Sequence, residues 1–199
     1  MLDKKKILGI VFCLGLGRSP TPTALASVLG TDEPSLARIL GRLDRAGYLK
    51  EQGGRVVLTP RGRRQIRVVF IGGGFEVIHR GHLYTIDRAK SLGDVLVVSV
   101  ARDSTIRRRK KRTPLANERE RLRLLSSLRQ VDAAILGVKG DIYRTLEKVR
   151  PDVVALGYDQ YHSESDIEGE ARRRGMRLKV VRLDSPYPDI KTSSLLKET

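Results

Sequence analysis

Val68-Val69-Phe70-Ile71-Gly72-Gly73-Gly74-Phe75-Glu76-Val77-Ile78-His79-Arg80-Gly81-His82 decides the fold of this chain. A β-branched and aromatic run breaks into three consecutive glycines, and two histidines three residues apart stand just before a helical pattern that opens at Leu83. This reads as strand, phosphate-sized turn, helix. Glycines behind a buried parallel strand let the backbone approach a ligand closely, and a helix N-terminus offers free N–H groups and partial positive charge to an anion. Two imidazoles at that place, with no acid-rich cage, suit hydrogen bonding to a phosphoryl group whose charge shifts during transfer. The plainer alternative is that both histidines only cap the helix.

Outward from this stretch, apolar runs alternate with helical patterns. Strands are expected at 67–72, 94–101, 131–137, 152–157 and 178–183, and helices at 82–91, 117–128, 141–149 and 165–174. That alternation is α/β: a Rossmann-like parallel sheet, helices on both faces, ligands at the carboxyl ends of the strands. After the second strand come Ala101-Arg102-Asp103 and then six consecutive cations, residues 107–112, expected to form a loop. Like charges repel, so such a block is costly unless an anion lies among them. After strand 152–157, Gly157 permits close approach to a base or ribose, and Asp159 can hydrogen-bond a hydroxyl or amino group. Near the end, Lys191-Thr192-Ser193-Ser194 places three hydroxyls at a helix start, suited to the β- and γ-phosphates of a nucleotide.

Residues 1–66 read differently. Helices are expected at 5–16 and 23–29, followed by one whose stripe is Leu36, Ile39, Leu40 and Leu43, and Gln52-Gly53-Gly54-Arg55 then turns a hairpin. Three helices and a hairpin make a small winged helix, so two domains are expected, 1–66 and 67–199. The first carries twelve Lys and Arg against five Asp and Glu, a net of +7. A helix in the major groove would use Ser35, Arg38 and Arg42, with Arg55 of the wing on the phosphate backbone. Packing against the second domain, or forming a homodimer, is the alternative role.

The whole chain has 199 residues and a net charge of +16, which implies an anionic partner: nucleotide phosphates, nucleic acid, or both. One cysteine, Cys13, excludes an internal disulfide and fits a reducing, cytoplasmic setting. Lys4-Lys5-Lys6 and the apolar residues 7–17 have the charge and length of a signal peptide, but Arg18, Pro20 and Pro22 interrupt the pattern, and the segment is needed as a first helix. No run reaches the length of a membrane span.

The glycine turn and histidines resemble the signature of the cytidylyltransferase-like nucleotidyltransferase superfamily, Gly-x-Phe-Asp-x-x-His-x-Gly-His, with Glu76 where the family usually has Asp. Ala101-Arg102-Asp103 and Leu156-Gly157-Tyr158-Asp159-Gln160 resemble the archaeal-type FAD synthetases within it. Residues 40–60 resemble the recognition helix and wing of winged helix-turn-helix regulators. The resemblance implies transfer of AMP from ATP to FMN, with Mg²⁺ bridging phosphate oxygens. His79, His82 and Lys110 would carry the chemistry. Gly73, Gly74, Phe75, Asp103, Lys111, Arg121, Gly157, Asp159, Thr192, Ser193 and Ser194 would complete the nucleotide site, and Arg109 could share the work of the lysines. It implies a carboxylate at Glu76 that caps the turn or orients a metal-bound water. A zinc site at His79 and His82 is not expected, for want of further ligands. Two other readings stay open: a cytidylyltransferase for glycerol 3-phosphate or another polyol phosphate, and a ligand-sensing transcription regulator.

Overall fold

The computed structural model describes residues 3–17 and 19–187. The chain divides into two compact units, Met1–Arg67 and Val68–Thr199.

The first unit holds α1 (Lys4–Gly17), α2 (Pro22–Leu29), α3 (Glu33–Arg45), β1 (Leu49–Gln52), β2 (Arg55–Leu58) and the one-turn α4 (Pro60–Arg63). Asp32 caps α3 by accepting from Ser35 N at 2.8 Å, and a proline in the first turn supplies a preset φ. Leu36 and Leu43 are the buried stripe of α3, and Ile7, Leu8, Val11, Leu25, Leu49 and Val56 are buried in the same unit. β1 and β2 pair antiparallel through Gly53 and Gly54, both with positive φ, as a tight two-residue turn requires. Pro60-Arg61-Gly62-Arg63 forms α4, capped by the Thr59 hydroxyl, which accepts from Gly62 N.

The second unit is built on β3 (Val68–Gly73), α5 (Arg80–Lys90), β4 (Val95–Val100), α6 (Asp103–Lys110), α7 (Glu118–Ser126), β5 (Ala133–Leu136), α8 (Ile142–Val149), β6 (Val153–Leu156), α9 (Glu164–Arg173) and β7 (Lys179–Arg182). The five strands are all parallel, in the order β5-β4-β3-β6-β7. The chain runs outward from β3 to β5, then crosses back over the sheet to β6. Right-handed crossovers therefore place α5 to α7 on one face and α8 and α9 on the other. Val69, Ile71, Leu96, Val98, Val153 and Ala155 are almost wholly buried, which is why the central strands read as unbroken apolar runs. The order reverses between β3 and β6, so the crevice at their carboxyl ends is where such a sheet takes its ligand.

One expectation is corrected. Residues 107–112 were expected to be a loop, yet most of the run belongs to α6. Ile106 anchors this helix by burying its side chain, and Lys111 ends it in the left-handed conformation with φ of 53°. Among the described residues, no helix is long and apolar enough to cross a membrane.

Candidate active site

The glycine turn leaves β3 at the middle of the sheet. A Cβ on Gly73 would stand 2.9 Å from the Phe75 ring, so the position has room only for hydrogen. Phe75 itself is buried with φ of +50°, a conformation that L side chains avoid at a cost of about 1–3 kcal/mol. Its ring lies against His82, with centroids 5.4 Å apart. The tight turn thus wedges an aromatic ring under the second histidine.

His79 occupies the N-cap position of α5, in extended conformation, and its side chain makes no capping hydrogen bond. The pure capping reading is therefore set aside for His79. His82 sits in the first turn, and the two imidazoles stack at 4.0 Å. Burial lowers the pKa of His82 to about 4; the nearby His79 and Lys110 reinforce the shift, and the Val77 carbonyl pulls the other way. Burial also lowers His79, against the attraction of Asp159. Both rings are thus held neutral at pH 7, each carrying a single N–H, and Nδ1 of His82 is buried without a hydrogen-bond partner in the protein.

Glu76 is buried, at 7% exposure. Its carboxylate accepts from Lys110 Nζ at 2.6 Å and from Arg112 at 2.7 and 3.1 Å. Burial alone would raise its pKa; the hydrogen bonds from Arg112 and Lys110 outweigh that and leave it below the ordinary carboxylate range. So the end of α6 is fastened to the glycine turn, with the Lys110 ammonium close to Gly74. Arg109 turns elsewhere and stands over the Tyr161 ring at 4.7 Å. Lys111 takes the left-handed cap and is exposed.

Arg121 is 1% exposed and its guanidinium is spent on the protein. It donates to the carbonyls of Ala116, Gly74 and Ala101 and pairs with Asp103 at 2.7 Å. The Asp103 amide in turn donates to Glu118, which also binds Arg102. These bonds tie the ends of β3 and β4 to the starts of α6 and α7, so Arg121 and Asp103 hold the floor of the crevice and have little left for a ligand. On the other bank, Gly157 is buried and Asp159 exposed. Gln160, the next residue, donates across the switch point to Gly72 O at 2.9 Å. Arg112 and Gln160 had no site role in the sequence reading; their partners lie 36 and 88 residues away, beyond any local pattern. Lys191, Thr192, Ser193 and Ser194 lie outside the described residues.

In the first unit, Arg38 and Arg42 are exposed on α3 and Arg55 is exposed on the hairpin, while the Ser35 hydroxyl accepts from Arg38 at 3.2 Å.

Residues 70–198 match the Cytidylyltransferase-like family. The FAD synthase of Aciduliprofundum boonei is 50% identical over 115 residues, 58% of this chain and 76% of that protein. The FAD synthase of Thermoplasma volcanium is 40% identical over 130 residues, 65% of this chain and 91% of that protein. Among solved structures, the lipopolysaccharide core biosynthesis protein from Thermoplasma volcanium GSS1 superimposes with a TM-score of 0.59 at 41% identity, covering 60% of this chain and 98% of that one.

Proposed function

This chain belongs to the cytidylyltransferase-like family, and on that premise we propose that it transfers AMP from ATP to FMN, giving FAD and pyrophosphate. The observation that carries the choice of substrates is its 50% identity with an FAD synthase across three quarters of that enzyme's length. An oxygen of the FMN phosphate attacks the α-phosphorus of ATP, the bond from that phosphorus to the bridging oxygen breaks, and pyrophosphate leaves. The attacking oxygen is already an anion, so no covalent enzyme nucleophile is needed and catalysis is positioning and charge stabilisation.

Each residue then has a task. His79 and His82, neutral donors at the mouth of a helix N-terminus, contact the α-phosphate and strengthen their hold as charge develops. Lys110 meets the triphosphate from α6, and Gly73, Gly74 and Phe75 supply the close backbone. Arg121 and Asp103 position that backbone. Gly157 and Asp159 face the nucleoside, and Thr192, Ser193 and Ser194 take the leaving pyrophosphate. Among the described residues there is no group of three or more His, Cys, Asp or Glu that could hold a metal ion. Such a donor-poor crevice fits Mg²⁺, which binds through phosphate oxygens and water rather than an all-protein cage, and which neutralises the triphosphate when bound.

The test is to incubate the protein with Mg²⁺, FMN and either ATP or CTP and follow FAD by chromatography beside pyrophosphate release. Pyrophosphate from CTP and glycerol 3-phosphate, with no FAD from ATP and FMN, replaces the flavin reading with the polyol one. No pyrophosphate with any pair favours a ligand sensor.

A second activity is supported by the exposed cations of the first unit. Arg38 and Arg42 on α3, with Arg55 on the hairpin, suit the phosphate backbone and groove of DNA. A homodimer would present two such helices to two half-sites.

A further inference from the structure

Between β6 and α9 the chain holds a large aromatic ring outside the core. Tyr161 is 69% exposed, yet the backbone that carries it is fixed. Arg182 of β7 donates to the carbonyls of Gly157, Gln160 and His162 at 3.1, 2.9 and 2.7 Å, and it pairs with Glu164 at 2.7 Å. The Tyr161 ring rests on His162, with centroids 4.0 Å apart, and Arg109 stands over it at 4.7 Å. Arg109 belongs to the helix that follows β4, and Tyr161 to the loop that follows β6. These strands flank β3, so the contact bridges the two banks of the crevice.

An exposed ring on fixed backbone with a guanidinium over it is a stacking site for a planar ring, which can lie on the guanidinium plane or on the tyrosine itself. We infer that Tyr161 is the platform on which the isoalloxazine ring of the acceptor flavin stacks, with Arg109 beside or over it; this rests on the adenylyl-transfer reading. The order along α6 fits the shape of the acceptor. Arg109 reaches Tyr161, and its neighbour Lys110 reaches the glycine turn, so a flavin stacked at Arg109 has its phosphate directed toward the triphosphate that Lys110 meets. A polyol phosphate has no π face to place there.

The experiment titrates FMN into the full-length protein, follows quenching of flavin fluorescence, and measures the KM of FMN and of ATP in FAD formation. For Tyr161→Leu, the expected result is loss of quenching and an FMN Kd and KM raised about tenfold, with the KM of ATP unchanged; Tyr161→Phe, which keeps the ring, stays within about twofold. A raised KM for ATP with FMN unaffected would assign the platform to adenine and overturn the inference, as would unchanged constants for both. If the wild type forms FAD and Tyr161→Leu keeps its FMN constants, the platform alone is lost. A wild type that neither forms FAD nor binds FMN removes the adenylyl-transfer reading with it.

Discussion

Lys110 Nζ lies 2.6 Å from Glu76 Oε2, so the cation offered to the nucleotide is held by a buried carboxylate of the turn that the nucleotide must approach. Arg112 shares that carboxylate at 2.7 Å. One negative charge thereby fastens two members of a six-cation run, and the run can end a helix instead of repelling itself into a loop.

Glu76→Gln tests this. It leaves both cations without a counter-ion, but each is about a third or more exposed, so water offsets part of the loss. The expected cost is about 1–2 kcal/mol, below that of breaking a fully buried pair, read as a lower denaturant midpoint at unchanged slope. A midpoint equal to that of the wild type would show that the pairing does not hold α6 in place.

The crevice residues separate by kinetics. His79→Ala and His82→Ala should each lower kcat about 10²-fold, as loss of a donor to a developing charge does. Lys110→Ala should act mainly on the KM of ATP. Lys111, exposed at the left-handed cap, should matter less than Lys110 in the same assay. Near-wild-type turnover in both histidine variants would remove the pair from the chemistry.

The histidine pair was legible because its signal is local: four residues, His79-Arg80-Gly81-His82, at the seam between an apolar strand and a helix. The strands were legible for the same reason, since burial on both faces leaves continuous Val and Ile runs. The helix over Asp103–Lys110 was not. Its last turn carries four consecutive cations, which argue against helix locally. What overrules them is distant: Glu76, which holds Lys110, and Glu118, which accepts the amide of Asp103. Arg121 shows the same limit. Several charged residues line α7, and the one that turns inward is selected by the carbonyls of Gly74 and Ala101, which only the assembled sheet brings together.

The depressed histidines also set a pH dependence of stability. His82 titrates at about 4 in the folded protein, against the ordinary 6.5. Between those values the unfolded chain binds a proton that the folded one does not, so folding stability rises with pH across the window. It is fully present above about 6.5 and is lost as pH falls toward 4, by up to about 3 kcal/mol. Urea unfolding at pH 4.5, 5.5 and 7 should show that slope, and His82→Gln should flatten it. An identical slope in the variant would place the acid sensitivity on other groups.

The proposal that α3 meets DNA predicts a salt dependence and a locus. Each phosphate neutralised by Lys or Arg releases a condensed counterion, so affinity for a mixed-sequence duplex should fall steeply as salt rises. A chain of net charge +16 would show some of this through charge alone, so the locus decides. Arg42, exposed on α3, is compared with Arg172, exposed on α9 of the other unit. Arg42→Ala should weaken binding and reduce the salt slope by about one, whereas Arg172→Ala, which removes the same charge, should leave the slope unchanged. Equal losses would assign the binding to net charge rather than to α3. No binding at low salt would remove DNA from the functions of the first unit and leave α3 as a packing or pairing face.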